Sequence, residues 1–140
     1  MLKKEKFIED QIVFEHHDHN LRVIFGGEIN QCRINDTIFN LNNEYDFVHS
    51  EQHTKLISFI DTKATEQLII DACASIVSKT SMDSCAAIAI VVPNELAFSI
   101  YKIDALTNDA HNGVRSFFNE DQANIWLLYK IKLFRKRSLH

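Results

Sequence analysis

Residues 85–92, Cys-Ala-Ala-Ile-Ala-Ile-Val-Val, form the longest uninterrupted apolar run in the chain. A run of this length, rich in β-branched residues and alanine, is typical of a central parallel strand covered on both faces. Pro93-Asn94-Glu95 ends the run and begins a predicted helix, which carries an apolar stripe that includes Leu96, Ile100 and Ile103. The centre of the chain therefore predicts a strand followed by a covering helix.

Toward the N-terminus, residues 11–16 and 21–25 alternate in polarity and predict two strands joined by a tight turn. Gly26-Gly27 ends this hairpin, and Asn30 is suited to cap the helix that follows. The apolar positions of that helix recur in steps of three and four, so it extends to about residue 42 or on toward His49.

A further strand is predicted at 56–60, and a helix begins after it, capped by Thr62 or Thr65, and runs to about Lys79. The last strand covers 114–118, and Asn119 caps the final helix. The resulting order is β-β-α-β-α-β-α-β-α. It predicts one α/β domain over residues 1–140, with a mostly parallel five-stranded sheet, an N-terminal hairpin and helices packed on the sheet. Residues 1–10 and 135–140 are the segments expected to fray.

Composition narrows the function classes. The formal net charge of −4 argues against nonspecific nucleic-acid binding, which needs a basic surface. The three cysteines form no C-x-x-C pair and favour a reducing compartment. The first ten residues lack the apolar core of a signal peptide, and no run is long enough for stable membrane insertion. We therefore expect a cytoplasmic protein without a cofactor.

Three histidines, His16, His17 and His19, crowd the hairpin turn and are the weak candidates for metal ligands. Adjacent residues of a strand point to opposite faces, so His16 and His17 are poorly placed to share one ion. The sequence therefore predicts no metal site at this turn.

Asp61, Thr62 and Thr65 are the main candidate site residues. They follow a parallel strand and open a helix, which places them at the carboxyl edge of the sheet, where α/β folds usually bind ligands. One interpretation is a phospho-acceptor or interaction edge, because a phosphate at a helix start is favoured by the helix dipole. The alternative is that these residues only cap the helix.

Two segments carry a family resemblance: the strand Ala87-Ile88-Ala89-Ile90-Val91-Val92, and the ending Arg115-Ser116-Phe117-Phe118-Asn119-Glu120-Asp121-Gln122-Ala123-Asn124-Ile125-Trp126-Leu127. They resemble the C-terminal half of SpoIIAA-like proteins of the STAS superfamily, whose ending is similar to R-x-F-x-[ST/N]-E-E-A-x-x-W-L. Gln122 is one residue more than that pattern allows.

The resemblance implies a STAS-type fold related to CRAL-TRIO lipid-binding domains. It also implies a regulatory module in which a Ser or Thr at a helix start is phosphorylated. The segment Asp61-Thr62-Lys63-Ala64-Thr65 departs from the family's D-S-[ST]-G-type sequence and has no glycine.

Two functions follow as expectations. The first is a noncatalytic regulatory or protein-interaction module of STAS type, whose surface joins Asp61, Thr62 and Thr65 to the loop at 108–113. The second is a small binder of a lipid or other apolar ligand, with Leu96, Ile100 and Ile103 facing the ligand. No convergent acid, base and nucleophile can be named, so we expect no enzyme. The protein partner is not specified by the sequence, and an exposed edge strand of the hairpin would permit a homodimer.

Overall fold

The computed structural model describes residues 4–9, 12–17, 19–40, 53–63, 65–79, 85–94 and 113–138. Within them lie six strands and three helices. The strands are β1 (Lys4–Glu9), β2 (Ile12–His17), β3 (Asn20–Gly27), β4 (His53–Thr62), β5 (Cys85–Val91) and β6 (Val114–Phe117). The helices are α1 (Gln31–Asn40), α2 (Glu66–Lys79) and α3 (Glu120–Ser138).

The six strands form one sheet in which the spatial order is the sequence order, β1-β2-β3-β4-β5-β6. The first three strands pair antiparallel, and β3 through β6 pair parallel. The five predicted strands and the mostly parallel α/β architecture are confirmed, but the prediction of five strands in the sheet is wrong, because β1 adds a sixth. The helix predicted after Pro93 and the extension of α1 toward His49 lie outside the described residues.

Both segments expected to fray are in part ordered. β1 pairs with β2 from Lys4 opposite His17 to Glu9 opposite Ile12, and α3 continues through Ser138. The charged sequence Lys-Glu-Lys-Phe-Ile-Glu gave little strand signal, but strand β2 offers backbone donors and acceptors that β1 satisfies. The outer edge of the predicted hairpin is therefore occupied by β1.

One face of the sheet packs against α1 and α2. Val23, Ile57 and Ile90 are register partners across three strands, and all three are buried in the core beneath these helices. Phe25 and Phe59 stack in the same core with ring centroids 5.1 Å apart. The connections from β3 to β4 and from β4 to β5 both add a strand on the same side of the preceding one. If both crossovers have the same hand, their helices lie on the same face of the sheet, and α1 and α2 do pack together.

The opposite face packs against α3. Leu56, Ala87 and Ala89 are fully buried there beneath Ala123 and Leu127 of the helix. Alanine at the contact positions of both elements allows the helix to approach the sheet closely. β5 is thus covered on both faces, as its unbroken apolar sequence predicts.

Each helix begins at a side-chain cap. Asn30 accepts from the N–H of Arg33 at 2.8 Å, Thr65 from Leu68 at 3.3 Å, and Asn119 from Gln122 at 3.2 Å. These bonds satisfy backbone donors that have no partner within the helix. Of the two caps proposed for α2, the structure uses Thr65, because Thr62 still belongs to β4.

The close contact between α3 and β5 predicts a specific sensitivity to volume. Ala89→Leu adds three carbons where Ala89 is fully buried, so we expect a loss of about 1–3 kcal/mol in the free energy of unfolding. Ile90→Leu, on the other face of the same strand, conserves volume and is expected to cost less, about 1 kcal/mol. Urea denaturation of both variants measures the difference, and equal losses would contradict the close approach of α3.

Candidate functional site

A β-bulge in β4 decides which side chains reach the site. Ile24 pairs with Ser58, but Gly26 pairs with Asp61, so the two residues 59 and 60 lie opposite Phe25. The N–H of Ile60 donates to the hydroxyl of Ser58 at 3.3 Å within this irregular stretch. Because Gly26 lies on the same face of β3 as Arg22 and Ile24, the bulge brings Asp61 to the face that carries α3.

Asp61 borders an open cavity of about 380 Å³ between the carboxyl end of β4 and the start of α3. The cavity is predominantly polar, and its lining includes one arginine and three carboxylates. The lining residues are Arg22, Ser58, Ile60, Asp61, Phe118, Asn119, Glu120 and Asp121. This position, beyond the carboxyl ends of parallel strands, is the usual place for a ligand in an open α/β sheet.

The charge of Arg22 is engaged by two carboxylates. Its Nη2 donates to both carboxylate oxygens of Glu120, at 2.8 and 2.9 Å, and its Nη1 donates to Glu15 at 3.3 Å. Glu120 is the first residue of α3, where the positive end of the helix dipole also stabilises its negative charge. The ion pairs therefore fasten the start of α3 to β3 and neutralise the one cation that lines the cavity.

The remaining carboxylates give the cavity an acidic rim. Asp61 and Asp121 are both exposed, and Ile60 beside them is 42% exposed. Such a lining, acidic with an apolar side chain at its edge, is complementary to a cationic group attached to an apolar stem. It is poorly suited to a phosphate, because its arginine already has carboxylate partners.

The structure separates the three candidate residues at this edge. Asp61 lines the cavity, whereas Thr62 is half-buried and its hydroxyl donates to the carbonyl of Phe59 at 3.2 Å. Thr65 is exposed at the cap of α2. Neither threonine is among the residues that line the cavity.

The other candidates from the sequence lie elsewhere or outside the described residues. Leu96, Ile100, Ile103 and the loop at 108–112 are outside them. His16 and His17 occupy successive positions of β2, opposite Leu21 and Asn20, and His19 is exposed in the turn. Across the described ranges, no group of three His, Cys, Asp or Glu residues is placed to hold a metal ion. None of the described helices is long and apolar enough to cross a membrane.

Sequence reasoning missed most of the cavity lining. Arg22 and Ser58 sit within strands that were interpreted only by their apolar residues, and Glu120 was assigned to the helix start alone. The alternation of the strand was a usable signal for Arg22. Arg22 lies between the apolar residues Leu21 and Val23, so its side chain belongs to the opposite face of the sheet from theirs. The bulge that places Asp61 has no sequence signature here.

Lys55 was also missed, because the predicted strand began one residue later. Its side chain is only 1% exposed and shares a face with Leu21 and Ile88, its register partners on either side. Burying an ammonium group costs free energy unless it is paired. The burial of Lys55 therefore concerns the stability of the amino end of β4. Lys55 is not among the residues that line the cavity, of which Ser58 is the nearest along β4.

Burial determines thiol behaviour. Cys73 lies in the core under α2, and desolvation raises the pKa of its thiol from 9.0 to about 12. Since the folded state holds this proton more tightly, the thiol's contribution to stability is full below about pH 9 and is lost as pH rises toward 12.

We therefore expect one rapidly reacting thiol in the native protein at pH 8, that of exposed Cys32, because Cys73 and Cys85 are buried. Titration with a chromogenic disulfide reagent should count this thiol at once and all three only in denaturant. Fast reaction of two or more thiols in the folded protein would contradict the burial.

Comparison with known proteins finds no match for this chain among protein-family models, curated proteins or solved structures. The resemblance to STAS proteins therefore remains a prediction from the sequence.

The link between Arg22 and Glu120 can be measured by a double-mutant cycle. Because one nitrogen, Nη2 of Arg22, contacts both carboxylate oxygens of Glu120 and the pair is partly exposed, Arg22→Met and Glu120→Gln should show a coupling of about 1 kcal/mol in the free energy of unfolding. About 1 M salt should reduce it. The matched cycle of Arg22→Met with Glu15→Gln should give a smaller coupling, since that contact is single and 3.3 Å long. A larger coupling to Glu15 would overturn this ranking.

Proposed function

We propose that this chain is a noncatalytic regulatory or protein-interaction module of STAS type, and that its partner binds at the carboxyl edge of β4. The observation that supports this most is the open acidic cavity there, with Asp61 on its lining and Ile60 42% exposed. Isolated apolar side chains on a surface are ordinary, but one beside a shaped acidic cavity provides both contact area and charge selectivity.

The partner's chemistry follows from the lining. Three carboxylates line the cavity, and its arginine is already bound by Glu15 and Glu120. A partner segment that inserts a Lys or Arg side chain, with its hydrocarbon stem against Ile60 and Phe118, matches both the charge and the apolar part of the lining. We therefore propose a basic protein segment as the occupant.

Control by phosphorylation is part of the proposal, and it is assigned to Thr65. Thr65 is exposed, whereas Thr62 is half-buried with its hydroxyl bonded to the Phe59 carbonyl. A phosphate on Thr65 would lie at the start of α2, where the helix dipole stabilises negative charge. The added charge at this edge should strengthen the binding of a basic segment.

The alternative function, a small binder of lipid or another apolar ligand, rests on Leu96, Ile100 and Ile103, which lie outside the described residues. The cavity described here is polar and does not favour such a ligand. The alternative remains a sequence-based prediction.

The test compares proteins retained from a lysate of the source organism by immobilised wild-type chain and by two charge-matched variants. Asp61→Lys reverses the charge at one position of the cavity lining, and Asp71→Lys makes the same change on the exposed face of α2. We expect a partner that is retained by wild type and Asp71→Lys, and that binds Asp61→Lys at least about tenfold more weakly. Equal retention by Asp61→Lys would overturn the proposed surface, and a small apolar ligand in native mass spectra would support the alternative.

The phosphorylation step is tested on the same partner with Thr65→Asp and Thr65→Asn. Both residues are good helix caps, so α2 keeps its start and only the charge differs. Thr65→Asp should bind the partner more tightly than Thr65→Asn. The difference in affinity between the two variants should become smaller in high salt. Identical affinities would remove the switch from the proposal and leave the docking surface in place.

A further inference from the structure

The outward face of α3 carries an apolar stripe that the fold does not bury. Ile125, Leu128 and Tyr129 are 68%, 59% and 58% exposed, whereas Ala123 and Leu127 of the same helix are buried against the sheet. Three neighbouring side chains of this size make a patch on the order of 300 Å², which on a soluble protein often serves an interaction. α3 is therefore apolar on two sides.

Charges of opposite sign bound this stripe. Asp121 lies one turn before Ile125, and Lys132 lies one turn after Leu128, and both charged residues are exposed. The spacing of these four positions is four, three and four residues, which keeps them on one line along the helix. The line is thus acidic at its start, apolar at its centre and basic at its end.

This pattern is complementary to itself when it is reversed, and we propose that α3 pairs antiparallel with α3 of a second copy of the chain. With a two-fold axis between positions 126 and 127, Asp121 faces Lys132 of the partner subunit. Ile125 faces Leu128 of the partner subunit, and symmetry repeats both contacts. Tyr129 flanks the apolar centre on each copy.

Charge decides between a second copy in this orientation and other arrangements. A parallel pair would set Asp121 against the partner's Asp121 and Lys132 against the partner's Lys132, which is repulsive at both ends. The antiparallel pair replaces both repulsions with attractions. It also places the positive end of each helix dipole beside the negative end of the other, which is favourable. This dimer surface shares Asp121 with the cavity proposed for partner binding, but its apolar centre, Ile125 and Leu128, is not among the residues that line the cavity, and neither proposal depends on the other.

Sedimentation equilibrium over a range of concentrations provides the test. The average mass of the full chain should rise from 16.2 kDa toward twice that value as concentration increases. Leu128→Glu, which places a charge at the centre of an exposed stripe without touching the core, should leave a monomer at every concentration. A wild-type chain that stays monomeric, or a Leu128→Glu variant that still dimerises, would overturn the proposal.

Charge exchange identifies the orientation. Asp121→Lys and Lys132→Asp should each weaken dimerisation about tenfold, because each change creates two like-charge pairs. The double variant restores opposite charges in reversed order and should return to within about threefold of wild type. Asp71→Lys on α2 makes the same change in net charge as Asp121→Lys and should have no effect on dimerisation. Failure of the double variant to recover would exclude the antiparallel register even if a dimer forms.

Discussion

The structure depends on β5 being buried from both sides by residues of different size. Toward α1 and α2 the strand presents Ile88 and Ile90, and toward α3 it presents Ala87 and Ala89, followed by Val91 at its end. Large side chains fill the thick core under two helices, and small ones allow a single helix to lie close on the other face. The position of α3 follows from this.

The cavity arises from two local departures from regular structure. The bulge in β4 rotates Asp61 onto the face of α3, and the ion pairs of Arg22 hold the first residue of α3 beside it. Neither feature contributes much to the core, but each decides which groups meet at the carboxyl edge. A site built in this way combines a rigid sheet with polar contacts that remain accessible to water.

The sequence was sufficient for the regular elements and insufficient for the contacts between distant ones. A strand at 85–92 and helix starts at Asn30 and Asn119 depend on residues that are close together in the sequence. These elements were therefore predictable. β1 was not, because its ordering depends on pairing with β2 rather than on its own composition. Arg22 and Glu120 are 98 residues apart, and no local pattern announces that they meet.

The agreement between spatial order and sequence order of the strands has a consequence for synthesis on the ribosome. Each strand from β2 to β6 pairs with the strand that emerged before it, so the sheet can grow by one strand at a time as the chain is extended. Each addition closes a connection of at most 25 residues, which limits the entropic cost of each step. Among the described elements, α3 is the one that packs on this face of β4 and β5 after all six strands have been made. Until α3 has been synthesised, Ala87 and Ala89 lack the cover that Ala123 and Leu127 give them in the folded protein, and the sheet waits for this helix to complete its second core.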